Sequence, residues 1–169
     1  MMKEKMIVYS NKSLRLDNVL IKQVINTLEL QRDLKEKTNE DTIELIVTQM
    51  ENQIKSKGAN TIGPIIQYSG PEFSNEEMGL RISLMLQADR YIHNVDPGFR
   101  MEPVIKKNNC MYVRFEGSEE DLQIAYKKIQ VEAYENDIIL SGNSYTVFVD
   151  DDENDDESIM ADIFMEKEE

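Results

Sequence analysis

The sequence is short of positive charge. Lys and Arg total 19 against 33 Asp and Glu, a formal net charge of -14, and a surface that negative repels phosphate backbones. Nucleic acid is therefore not an expected partner. The sequence also has only one cysteine and one histidine in 169 residues. Cys110 cannot form an internal disulfide, and it sits in the apparent strand NNCMYVRF, where a buried, inert thiol is the default reading. His93 lies in RYIHNVDPGFRME, where no acid and nucleophile are arranged around it, and reads as a solvated loop residue. No Cys/His cluster has zinc spacing. In GANTIGPI, Gly58 and Gly63 have P-loop spacing, but Pro64 and Ile65 replace the lysine and hydroxyl residue that would grip phosphate and magnesium. Those glycines read as a helix stop and a turn. There is no run of about 18 apolar residues, and MMKEKMIVYSNKSLRLD has no cleavage-site pattern, so neither a membrane span nor a signal peptide is expected. The cytoplasm is the natural compartment, and no catalytic residue, metal ligand or cofactor is expected.

What remains is ample for a packed fold, since 40% of the residues are hydrophobic and the length suits one domain or two small fused modules. Two helices stand out. NEDTIELIVTQMENQIKSKG carries a cap candidate in Asn39, a stripe of Ile43, Ile46, Met50 and Ile54, and a basic last turn before Gly58. SEEDLQIAYKKIQVEAYEND carries Ser118 and Asp121 as a capping box, a stripe of Leu122, Ala125, Ile129 and Ala133, and Asn136 as the left-handed terminator. The two align at one constant offset: Ser118 minus Asn39, Leu122 minus Ile43 and Ile129 minus Met50 each give 79. The same shift carries Gly63 onto Gly142, and Leu80, Ile82, Leu84 and Leu86 onto Ile159, Ala161, Ile163 and Met165. An internal repeat is the expectation.

Each half reads strand, helix, strand, strand. The predicted fold is α+β: a tandem duplication of a β-α-β-β module with an antiparallel-rich sheet and two main helices on one face. Residues 1–17 form an N-terminal extension or edge strand, about 18–89 the first repeat, 90–102 the linker and about 103–166 the second repeat.

The order of features in the second half resembles the GyrI-like family, also called the bacterial transcription activator effector-binding domain. A strand ends at Gly117, a helix contains Ala125 and Tyr126, Gly142 precedes the strand holding Tyr145, and an acidic connection at 150–157 leads to a final hydrophobic strand at 159–165. The resemblance spans roughly residues 18–165 and implies the same duplicated fold. It also implies that hydrophobic small molecules, often cationic, bind in a cleft between the repeats. In many members a glutamate immediately follows the tyrosine matching Tyr145 and receives the cation or serves catalysis. Here Thr146 stands there, with Gln67 at the repeat-related position, so that carboxylate is missing, and with it the expected chemistry of a hydrolase. Tyr145, Thr146, Tyr112, Tyr68 and Gln67 are the candidate ligand-binding residues, because a strand tyrosine offers a flat apolar face and an orienting hydroxyl. Asp162 supplies a carboxylate on the last strand, on the alternate side from Ile159, Ala161 and Ile163. The ten methionines read as core filling.

About 17 residues precede the first module, fewer than a helix-turn-helix needs, so a direct DNA-binding role is not expected. The chain is also similar to stand-alone GyrI-like proteins encoded beside secreted LXG-type toxins. That similarity implies a second reading, an acidic accessory, chaperone-like or immunity-like, that docks a basic protein partner. The run DDDENDDE has the D-x-D-x-N start of a calcium loop at Asp150, Asp152 and Asn154. Yet Asp155 and Ala161 occupy the positions that need glycine and a bidentate glutamate. It reads as a solvated hairpin loop whose repelling acids discourage edge pairing.

Overall fold

Period-two alternation of apolar residues produces six strands, and two 3.6-period stripes produce two helices. The computed structural model describes residues 6–26, 39–74, 77–149 and 158–168. Among them the strands are β1 (Tyr9–Asn26), β2 (Thr61–Ser74), β3 (Glu77–Ala88), β4 (Arg100–Ser118), β5 (Leu140–Val149) and β6 (Ser158–Lys167), with helices α1 (Asn39–Ser56) and α2 (Leu122–Glu135). β3 pairs with β1 and β2, and β6 pairs with β4 and β5, all antiparallel. The class is α+β. β4 opens at Arg100, inside the segment read as linker, and β1 opens at Tyr9, inside the segment read as an extension or edge strand. The acidic run at 150–157 lies outside the described residues.

The chain divides into two compact units, Arg15–Ile105 and Met1–Leu14 with Lys106–Glu169. In the first, β3 runs between β1 and β2. Leu20, Leu84 and Leu86 meet Met50 and Ile54 of α1 in one buried cluster, so α1 covers that face of the strands. Val19, Ile21, Ile66, Ser83 and Met85 alternate with them onto the other face and are also buried. In the second, β6 runs between β4 and β5. Met111, Val113, Ile163 and Met165 meet Ala125, Ile129 and Ala133 of α2. Met50, Met85, Met111 and Met165 are all buried, where an unbranched thioether fills irregular space.

The two units share their ladder register. Thr61 lies opposite Ala88 and Leu140 opposite Lys167; Ile66 opposite Met85 and Tyr145 opposite Phe164; Gln67 opposite Leu84 and Thr146 opposite Ile163. Every corresponding pair differs by 79 positions, as in Thr61 to Leu140 and Ala88 to Lys167. Register slips between Ile62 and Ile66 in one ladder and between Leu140 and Ser144 in the other. Each irregular stretch contains a left-handed glycine, Gly63 at φ 79° and Gly142 at φ 103°. The missing Cβ lets the bulged strand turn there without a clash.

The helix ends also correspond, with corrections to the expected caps. The Ala59 N–H donates to the Ile54 carbonyl at 3.1 Å and the Ile138 N–H to the Ala133 carbonyl at 2.9 Å. The left-handed residue is Gly58 (φ 87°) in α1 and Asp137 (φ 58°) in α2. Asn136 was expected in that role but holds φ -109° and instead donates from Nδ2 to the Glu132 carbonyl at 2.8 Å. Aspartate tolerates left-handed backbone nearly as well, so the turn closed one residue later. The capping box at Ser118 is not formed: Ser118 is extended, makes no side-chain cap bond and leads into a single 3₁₀ turn at Glu119–Asp121, so α2 starts at Leu122, with its stripe, three residues later than a Ser118 cap predicts. α1 begins at Asn39 itself.

Candidate functional site

Alternation along β4, β5 and β6 sends one set of side chains toward α2 and the other set away from it. Tyr112, Phe164 and Tyr145 lie opposite one another across the three strands and form a single row on the helix-free face of the second unit. Arg114 and Asp162, each two residues along from Tyr112 and Phe164, form the next row. The same face therefore carries an aromatic row and an ion pair.

The Tyr112 and Phe164 rings are tilted at 46° with centroids 4.9 Å apart, and Tyr9 from the start of β1 adds a second tilted contact to Tyr112 at 5.9 Å. Such offsets match the ring quadrupoles. The Lys12 ammonium rests over both tyrosines, 5.1 Å from the Tyr112 centroid and 5.7 Å from that of Tyr9. Both distances are within the roughly 6 Å range of cation–π attraction. Phe164 and Tyr145 are buried, Tyr112 is half-buried, and Tyr9 and Lys12 are exposed.

Asp162 is the polar hub. Arg114 donates to it in a two-point fork, Nε to Oδ1 at 2.7 Å and Nη2 to Oδ2 at 2.8 Å, and the Tyr112 hydroxyl donates to Oδ1 at 2.8 Å. Burial pushes the Asp162 carboxyl up, but the Arg114 and Tyr112 hydrogen bonds, with the charges of Arg114 and Lys12, outweigh it and leave the group below its ordinary value. Burial and donation to Asp162 push the Tyr112 hydroxyl up to about 12. At neutral pH the hub is a carboxylate holding a neutral phenol and a guanidinium in fixed positions.

The five sequence-derived candidates divide between faces. Tyr145 and Tyr112 share the helix-free aromatic row. Thr146 lies opposite Ile163 on the α2 side, buried, with its hydroxyl hydrogen-bonded to that of Tyr126. Ser144, also on that side, has a buried hydroxyl without a protein partner among the described residues. Gln67 lies opposite Leu84 on the α1 side of the first unit, half-buried, while Tyr68 lies opposite Ser83 on that unit's other face. Tyr9, Lys12, Arg114 and Phe164 escaped the sequence reading. Tyr112 with Arg114 and Asp162 with Phe164 each sit at a spacing of two, which marks a shared face, but only the ladder register shows that the two pairs stand opposite one another. His93 stacks edge-on against Tyr91 at 4.9 Å, away from this face in sequence and in unit. No group of three or more potential metal-ligating side chains occurs among the described residues. No helix among them is long and apolar enough to cross a membrane.

No protein-family model matches the sequence, and no curated protein matches it. Solved structures do. EcmrR, in its DNA complex, superposes with a TM-score of 0.58 at 14% identity, over 98% of this chain and 57% of that one. This chain thus spans little more than half the length of that protein. A hydrolase from Listeria innocua superposes at 0.54 with 9% identity, over 98% and 93% of the two chains. SAV2435 bound to tetraphenylphosphonium superposes at 0.50 with 14% identity, over 98% and 94%. At these identities the likeness is one of fold alone, a GyrI-like fold. These similarities carry nothing on toxin loci or on a basic protein partner.

Proposed function

We propose that this chain is a small-molecule binding module of the GyrI-like type, and that it takes hydrophobic cations on the helix-free face of its second unit. The observation that carries this reading is the Lys12 ammonium held over Tyr112 and Tyr9: these rings already accommodate a cation. Phe164, itself buried, packs against the Tyr112 ring, and buried Tyr145 continues the row behind it. The tetraphenylphosphonium bound by SAV2435, a protein of the same fold, supports the same ligand class. Asp162, fixed by Arg114, orients the Tyr112 ring and contributes little free negative charge, because its guanidinium partner neutralises it. Recognition then rests on ring faces more than on a buried anion, in keeping with Thr146 at the position where the GyrI-like resemblance implies a glutamate.

The reading includes a duplicated origin for the two units. The common register, the paired bulge glycines and the matched helix ends support modules of about 18–89 and 103–166, joined through 90–102.

The test is a thermal-shift and anisotropy measurement with a cationic xanthene dye. Saturable binding is expected, weakened about ten-fold or more in Tyr112→Ala. Absence of saturable binding, or full affinity in Tyr112→Ala, would remove the site from this face.

A further inference from the structure

Lys12 is exposed, yet its ammonium lies over the two rings of the aromatic pair. Among the described residues it forms no ion pair within 4.0 Å, whereas the neighbouring cation Arg114 is committed to Asp162. Its position is therefore set by the rings. A cation over a tyrosine face and a second cation over that same face repel each other and compete for one quadrupole. The lysine stem is long and freely rotating, so its ammonium can leave the rings for water at small cost.

We infer that Lys12 is a resident, displaceable occupant of the site, a cation supplied by the chain itself that a ligand cation must expel. The inference rests on the proposed ligand-binding role and adds to it a built-in competitor. Two consequences follow from the geometry. Loss of charge at position 12, by substitution or by acylation of the amine, opens the aromatic pair and raises affinity for cations. The gain is specific to charge, because an anion of the same shape loses an attractive neighbour instead.

Tetraphenylphosphonium and tetraphenylborate form the probe pair, since the two ions share a shape and differ in sign. Isothermal titration of the full chain is carried out with the wild type, Lys12→Gln, which keeps a long stem without charge, and Lys12→Arg, which keeps the charge. Lys12→Gln is expected to bind the phosphonium about 2- to 5-fold more tightly than the wild type, the range of one exposed cation–π contact. Lys12→Arg is expected to stay near the wild type, and Lys12→Gln to bind the borate no more tightly than the wild type does. Adding Tyr112→Ala to Lys12→Gln is expected to abolish the gain. Equal phosphonium affinity in the wild type and Lys12→Gln would overturn the inference while leaving the binding role standing. A gain of the same size for the borate would show that bulk, not charge, was relieved, and would also overturn it. Phosphonium binding by none of the three proteins would bring down the inference and the binding role together.

Discussion

The two units share a ladder and differ in what they place on it. Ile21, Met85 and Ile66 form the middle row on the helix-free face of the first unit, and Tyr112, Phe164 and Tyr145 stand at the matching register in the second. Next to these rows, Ser83 in one unit corresponds to Asp162 in the other. The backbone that holds an aliphatic layer in one unit holds an aromatic row and a fixed carboxylate in the other. Register, bulge and helix stop are common to the β2–β3 and β5–β6 ladders, and the chemistry of the second unit resides in different residues on one face of that ladder.

The largest effects should be equal in the two units, because they fall on the shared scaffold. Leu84 and Ile163 are corresponding residues buried against α1 and α2. Leu84→Ala and Ile163→Ala should each cost about 2–5 kcal/mol by denaturant unfolding. A negligible cost at one of them would mean that the units are not packed alike.

Smaller effects should separate the units. Asp162→Ala leaves the Arg114 guanidinium and the Tyr112 hydroxyl without their acceptor and should cost about 1–3 kcal/mol. Ser83→Ala removes only a small hydroxyl and should cost about 1 kcal/mol or less. Gly63→Ala and Gly142→Ala both force a side chain into left-handed backbone, and each should cost about 1 kcal/mol. Near-equal midpoint shifts for the two glycine variants would support a common bulge.

The smallest effect is confined to high pH and to the second unit. Tyr112 holds its proton more tightly folded than unfolded, with its value pushed up to about 12 from the usual 10.0. Its contribution to stability is thus complete below pH 10 and lost as pH rises from about 10 to about 12. The depressed Asp162 acts in the opposite sense: its contribution is present above the ordinary aspartate value of about 4 and is lost as pH falls below it. Tyr112→Phe should remove a late step, near pH 12, from the ultraviolet titration of the tyrosinates. An unchanged late step would place it on another tyrosine.

Much of the scaffold could be read from residue order. The stripe of Leu122, Ala125, Ile129 and Ala133 predicted α2, and the alternation of Ile159, Ala161, Ile163 and Met165 predicted β6 and its buried side. The offset of 79 found in the helices extends to the bulge glycines and the ladder pairs, since amphipathic spacing and turn chemistry are local signals. The site was less legible. Tyr145 and Thr146 are adjacent, yet alternation sends one to the aromatic row and the other to α2, and which side meets the helix depends on packing that no local pattern states. Lys12 and Tyr9 lie in KMIVYSNKSLRL, whose strand signal is weak, more than 95 residues before Tyr112 in the chain. Only tertiary pairing brings them to its ring. The caps differ for a related reason: Asp137, one residue beyond Asn136, takes the left-handed conformation, and a 3₁₀ turn separates Ser118 from α2.

A solution NMR titration of the aromatic protons with tetraphenylphosphonium locates the binding face. The largest saturable shifts are expected at Tyr112, Phe164 and Tyr9, smaller ones at Tyr145, and none at Tyr68 of the first unit. Largest shifts at Tyr126, a residue of α2, or at Tyr68 would contradict a site on the helix-free face of the second unit.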